Sequence, residues 1–101
     1  MNQAELSNYT TDFSHLSRTA PLVREPGLRA FLLHLRAGEE MPEHKVKGPI
    51  TVQCLQGRVL FSTADDSTEL ISGSIISLPG GVPHSLFART ASLMIVTVSE
   101  L

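Results

Sequence analysis

From Leu28 onward, apolar residues come in short runs of aliphatic and β-branched side chains, broken every few positions by Gly, Pro or Asp. This pattern predicts strands over residues 28–36, 42–47, 50–55, 58–63, 68–72, 75–78, 84–88 and 92–99, the all-β signature of a sandwich or small barrel. No helical period survives the punctuation. The Gln56-Gly57 break predicts a tight hairpin, because glycine supplies the positive φ of a two-residue turn, and so pairs 50–55 with 58–63. The first twenty residues are polar and rich in Ser and Thr, with Phe13 and Leu16 as their main apolar anchors. They read as an N-terminal arm (1–20), laid over the barrel or frayed, ahead of a barrel domain (21–101).

Alternation then orients the side chains. In residues 41–47, Glu43, Lys45 and Lys47 share one face and belong in water, which turns Pro42, His44 and Val46 toward the core. In residues 83–88, His84 shares a face with Leu86 and Ala88, the more apolar set apart from Phe87. Both histidines are expected to point inward. Ile50, Val52 and Cys54, with Val59, Phe61 and Thr63, supply an apolar lining around them. A buried imidazole needs a hydrogen-bond partner or a metal, since leaving it unsatisfied costs about 1–3 kcal/mol.

Composition narrows the function. A chain of 101 residues makes one domain with a modest core, without room for a separate cofactor domain. Its net charge of −2 and its dispersed basic residues do not form the footprint of a nucleic-acid binder. No apolar run reaches the ~20 residues that span a bilayer, and the opening Met1-Asn2-Gln3-Ala4-Glu5 is unlike a secretion signal. Cys54 is the single cysteine, which rules out a disulfide framework within the chain, reads as a small core residue and favours a reducing compartment. A cytoplasmic protein is expected. No phosphate-cradling loop for a nucleotide is present, since Pro79-Gly80-Gly81-Val82-Pro83 has no following lysine, and there is no serine elbow.

Two glycine-led segments remain. In one, Gly38 precedes His44 and Gly57 closes the segment; in the other, Gly73, Pro79, Gly81 and His84 follow one another in fixed register. This spacing resembles the cupin superfamily, whose first motif runs Gly, five residues, His-X-His, three or four residues, Glu, six residues, Gly, and whose second runs Gly, five residues, Pro-X-Gly, two residues, His, three residues, Asn. The resemblance covers residues 28–99 and implies a jelly-roll barrel, the double-stranded β-helix of the RmlC-like cupins. It also implies a metal site built from both histidines and the glutamate of the first motif plus the histidine of the second. Here Val46 stands at the second histidine, Ile50 at the glutamate and Ala88 at the asparagine, so only His44 and His84 remain as candidate metal ligands.

Two imidazoles bind a divalent ion such as Fe, Mn, Ni or Zn weakly, because a working centre needs at least three protein ligands. Glu43 and Gln53 face the wrong way to help. His34 is a possible third ligand with undecided direction, and His15 a lesser one. The expectation is a small-molecule-binding barrel, with a divalent metal on His44 and His84 as an option. A metal-dependent dioxygenase or isomerase, and a metal-free structural or sensing barrel, are the alternatives. The last strand, Ser92 to Val98, is apolar on both faces, so its outer face should be covered by the arm or by a second subunit; a homodimer is expected.

Overall fold

The structure, a computed structural model, describes residues 1, 3, 4 and 18–100. The described residues form nine strands: β1 (Thr19–Glu25), β2 (Leu28–Leu35), β3 (Glu40–His44), β4 (Ile50–Gln56), β5 (Arg58–Ser62), β6 (Ser67–Ile71), β7 (Ile75–Leu78), β8 (His84–Ala88) and β9 (Ser92–Ser99). They form a five-stranded sheet in the order β1-β2-β9-β4-β7 and a four-stranded sheet in the order β3-β8-β5-β6. Every pairing is antiparallel. No helix occurs among the described residues, and hence none long and apolar enough to cross a membrane.

The inner faces follow the expected alternation. Ile50, Val52 and Cys54 on β4 meet Val59 and Phe61 on β5, Leu86 and Ala88 on β8, and Met94, Val96 and Val98 on β9 in one buried cluster. Cys54 is fully buried, and its Sγ lies 3.5 Å from the Gln56 carbonyl oxygen and 3.8 Å from that of Gly57. It is a core residue, and burial pushes its thiol above the usual cysteine range. On the outer face of the larger sheet a second cluster gathers around Leu32 and Leu93, flanked by Ala20, Leu22, Leu55 and Ile95. Leu32 and Leu93 are already buried within one chain, whereas Ile95 is only half-buried.

Three expectations need correction. The Gln56-Gly57 break is not a hairpin, because β4 and β5 lie in different sheets and do not pair. Gly57, with φ of 94°, is the corner at which the chain passes from one sheet to the other. A Cβ there would stand 2.5 Å from the Ala91 carbonyl oxygen and 2.8 Å from the Ser92 Cα. A turn glycine and a corner glycine have the same backbone need, so sequence alone cannot separate them.

Second, β1 has no counterpart in the predicted strands. It is an edge strand carrying Pro21, with a register shift between Pro21 and Val23 and an unpatterned surface, so neither alternation nor composition marks it. It begins at Thr19, just ahead of the boundary between arm and barrel at residues 20 and 21. Residues 2 and 5–17, which include Phe13, His15 and Leu16, lie outside the described residues.

Third, the parity of β3 is broken. Met41 pairs with Leu86 and His44 with His84, so two residues, Pro42 and Glu43, oppose Ser85 alone. This bulge puts Met41 and His44 on one face and leaves Pro42 exposed.

Candidate functional site

His44 ends β3 and His84 begins β8, and the two are directly paired neighbours in the smaller sheet. The chain between β3 and β4 is zipped to the turn before β8: the Gly81 N–H donates to the Val46 carbonyl at 2.7 Å. At Gly80 a Cβ would run into the Lys47 carbonyl, so any side chain there would force the two segments apart. That close approach brings together histidines forty positions apart in sequence. Their ring centroids lie 4.4 Å apart with planes inclined by 62°.

Each ring is held in the same way. His44 Nδ1 lies 3.0 Å from the Pro42 carbonyl oxygen and His84 Nδ1 lies 3.0 Å from the Val82 carbonyl oxygen, two residues back in both cases. A carbonyl only accepts, so in the neutral rings Nδ1 carries the proton and the lone pair is left on Nε2. The bulge of β3 presents the Pro42 carbonyl, and the Pro79–Pro83 turn presents that of Val82.

The environments of the two rings differ. His84 is 3 % exposed and stacked on Phe61, with centroids 5.4 Å apart and planes within 14°. Burial, reinforced by the nearby His44 ring and opposed by the Val82 carbonyl, holds its pKa below the ordinary 6.5. It is neutral at physiological pH. Among the described residues, no fully enclosed side-chain nitrogen or oxygen lacks a partner. Among the described residues His84 bonds only through Nδ1, which leaves its Nε2 open to accessible space. His44, by contrast, is exposed: it shares the inner face with His84 and lines the same cavity, as its expected inward direction requires, but it stands at the rim rather than in the core.

Both rings line a cavity of about 70 Å³ at the mouth of the barrel, walled by Leu33, Ile50, Val52 and Leu86, with Met41 on its edge. It has room for an ion or a few waters and falls well short of the roughly 300–1,000 Å³ that encloses a whole ligand. Two larger surface hollows, of about 180 and 210 Å³, contain neither histidine.

His34 does not belong to this site. It pairs with Leu93 on the face of β2 that carries Leu32, opposite the face that sends Leu33 and Phe31 to the cavity. Val46 is partly buried against the core and Ile50 lies in the cavity wall, so the two missing ligand positions are filled by aliphatic side chains. Among the described residues no three of His, Cys, Asp and Glu are grouped so as to hold a metal. The residues present therefore do not fit the four-ligand divalent centre that the motif resemblance implies.

Alternation placed Phe61 in the apolar lining, where it proves to be the ring stacked on His84, but missed Met41 as a lining residue. The signal for Met41 was its apolar side chain between Glu40 and Pro42, which the assumption of unbroken alternation overrode.

No family model matches the chain, and no curated protein does. Solved structures do. A conserved protein of unknown function from Streptococcus pyogenes is 26% identical, with 82% of this chain and 73% of that one covered and a TM-score of 0.76. A cupin superfamily protein from Desulfitobacterium hafniense is 17% identical, with 80% and 74% covered and a TM-score of 0.77. Salicylate 1,2-dioxygenase from Pseudoaminobacter salicylatoxidans is 25% identical over 80% of this chain, which corresponds to only 25% of that protein, with a TM-score of 0.75.

Proposed function

Since this chain has the cupin fold, we propose that it binds a small molecule at the mouth of its barrel, with His44 and His84 as the recognising pair. The observation that supports this reading is the pair of imidazoles locked through Nδ1, with Nε2 lone pairs left for the cavity. A ligand hydroxyl or N–H would donate to them, while the apolar wall takes up one edge of the molecule. The small cavity admits only that group, and the rest of the ligand lies over exposed His44 at the rim. A divalent ion on this pair would have two protein ligands and would depend on the bound molecule for the others.

The test is a ¹⁵N spectrum of the histidine rings, with salicylate at millimolar concentration as the probe. Both rings should show protonated Nδ1 and bare Nε2, and the probe should shift His84 in the wild type but bind weakly to His44→Ala. Protonated Nε2 in the free protein, or no ring shift with salicylate or other small hydroxyl compounds, would overturn the proposal.

The likeness to salicylate 1,2-dioxygenase supports a second reading, a metal-dependent oxygenase or isomerase. Elemental analysis of untagged protein, repeated on His44→Ala and His84→Ala, decides it: stoichiometric metal lost in both variants supports it, and metal-free protein that takes up no iron, manganese, nickel or zinc removes it. A metal-free structural or sensing barrel is what then remains if the ring spectra also fail to respond. We also propose a cytoplasmic homodimer, supported by the lone buried Cys54 and by half-buried Leu55 and Ile95 on the outer face of the larger sheet. A monomer at micromolar concentration in sizing experiments would sink the dimer.

A further inference from the structure

The bulge in β3 moves one residue into the site that motif spacing does not predict. Met41 and His44 lie on the same face of the strand, and with His84 they line the same cavity. We propose that Met41, His44 and His84 form a three-donor site for a soft monovalent metal ion, copper(I). The proposal rests on the reading above that both Nε2 atoms face the cavity, and adds the thioether as the third donor.

Three features favour this ion over a divalent one. First, the donor set is two neutral imidazoles and one thioether, and thioether sulfur selects copper(I) among biological metals. Second, among the described residues no carboxylate or thiolate lines the cavity, and the remaining wall is Phe31 and aliphatic side chains. The cost of desolvating an ion grows with the square of its charge, so a divalent ion without an anionic ligand is penalised roughly four times as heavily as a monovalent one. Third, copper(I) is satisfied by three donors, whereas the divalent ions of first-row metal enzymes want more ligands than this face supplies.

The chain holds one thiol that could mimic such a site, Cys54, whose Sγ faces the Gln56 and Gly57 carbonyls within the core. The experiment therefore uses the full chain carrying Cys54→Ala, kept anaerobic, in competition with bicinchoninate for copper(I), alongside Met41→Leu in the same background. Leucine conserves volume, so the variant should keep its fold, and thermal unfolding of the apo proteins checks this.

The expected result is one copper(I) per chain with a sulfur neighbour in the X-ray absorption spectrum. Losing a hydrogen-bond partner of a ligand already costs roughly 10–100-fold in metal affinity, so losing the ligand itself should weaken copper(I) about 100-fold. The sulfur signal should vanish in Met41→Leu while zinc binding changes little. Equal copper(I) affinity in the two proteins, a copper environment without sulfur, or no uptake at all would overturn the proposal. The histidine ring spectra separate the causes: protonated Nε2 means the underlying reading has failed, whereas bare Nε2 without copper(I) means only this inference has.

Discussion

Replacing Gly57 by alanine should damage the fold more than replacing Gly73, although both glycines have φ of 94° and both belong to the cupin-like motifs. At Gly73 an added Cβ meets nothing within 4 Å, so alanine there is penalised only for the left-handed backbone, about 1–2 kcal/mol. At Gly57 the same penalty applies, and the Cβ also falls 2.5 Å from the Ala91 carbonyl oxygen, 2.8 Å from the Ser92 Cα and inside the space of the Ser92 hydroxyl. Two of those three contacts are backbone, so the corner has to shift, adding about 1–3 kcal/mol. For a domain of this size 1 kcal/mol lowers the melting temperature by about 4–8 °C. Thermal and urea unfolding should therefore show Gly73→Ala down by roughly 10 °C and Gly57→Ala lower again by a similar amount, with unchanged urea m-values. Adding Ser92→Ala to Gly57→Ala should restore little, since it removes only the side-chain contact. Equal losses in the two alanine variants would refute the claim that close packing, beyond turn conformation, demands glycine at this corner.

Three further outcomes follow from the site and the core. Truncating the buried, stacked ring in His84→Ala should lower stability by about 2–4 kcal/mol, whereas exposed His44→Ala should change it by no more than about 0.5 kcal/mol; equal effects would contradict the assignment of core and rim. Because the His84 pKa is depressed by folding, the unfolded chain binds the extra proton between the folded value and 6.5. Its contribution is therefore fully present above about pH 6.5 and is lost as pH falls through the folded value, so the gap in stability between wild type and His84→Gln should narrow on acidification from pH 8 to 5. A gap that stays constant would show that the ring is not desolvated. Finally, native protein should resist iodoacetamide at neutral pH and react promptly in urea, because Cys54 is buried with a raised thiol pKa; fast native labelling would mean that the corner at Gln56-Gly57 opens readily.

Much of the scaffold was legible because its causes are local. Alternation of apolar and polar residues over β4 and β8 follows from the two-residue period of a strand, and residues 75–78, 84–88 and 92–99 are strands at the predicted bounds. His84 sits on the inner face with Leu86 and Ala88, as parity requires, and Phe87 faces out. The two glycine-led segments carried the likeness to a cupin barrel, because their glycines Gly38, Gly57, Gly73 and Gly81 all take the positive φ that other residues avoid, and at Gly57 another chain segment also leaves no room for a Cβ.

What the tertiary structure decided depends on which segments meet. Whether Gln56-Gly57 turns back or crosses between sheets is a matter of the partners of β4 and β5, which lie far along the chain. The bulge in β3 appears only when that strand is laid against β8, and one extra residue is enough to exchange Pro42 for Met41 on the inner face. Packing across the smaller sheet also separates the fates of the two histidines: the same Nδ1-to-carbonyl lock holds both rings, but Phe61 of β5 stacks over one while the rim leaves the other open. The sequence by itself therefore determined the barrel and the two imidazoles. Only the packing of its two sheets decided that one imidazole is core, the other is rim, and Met41 lines the cavity with them.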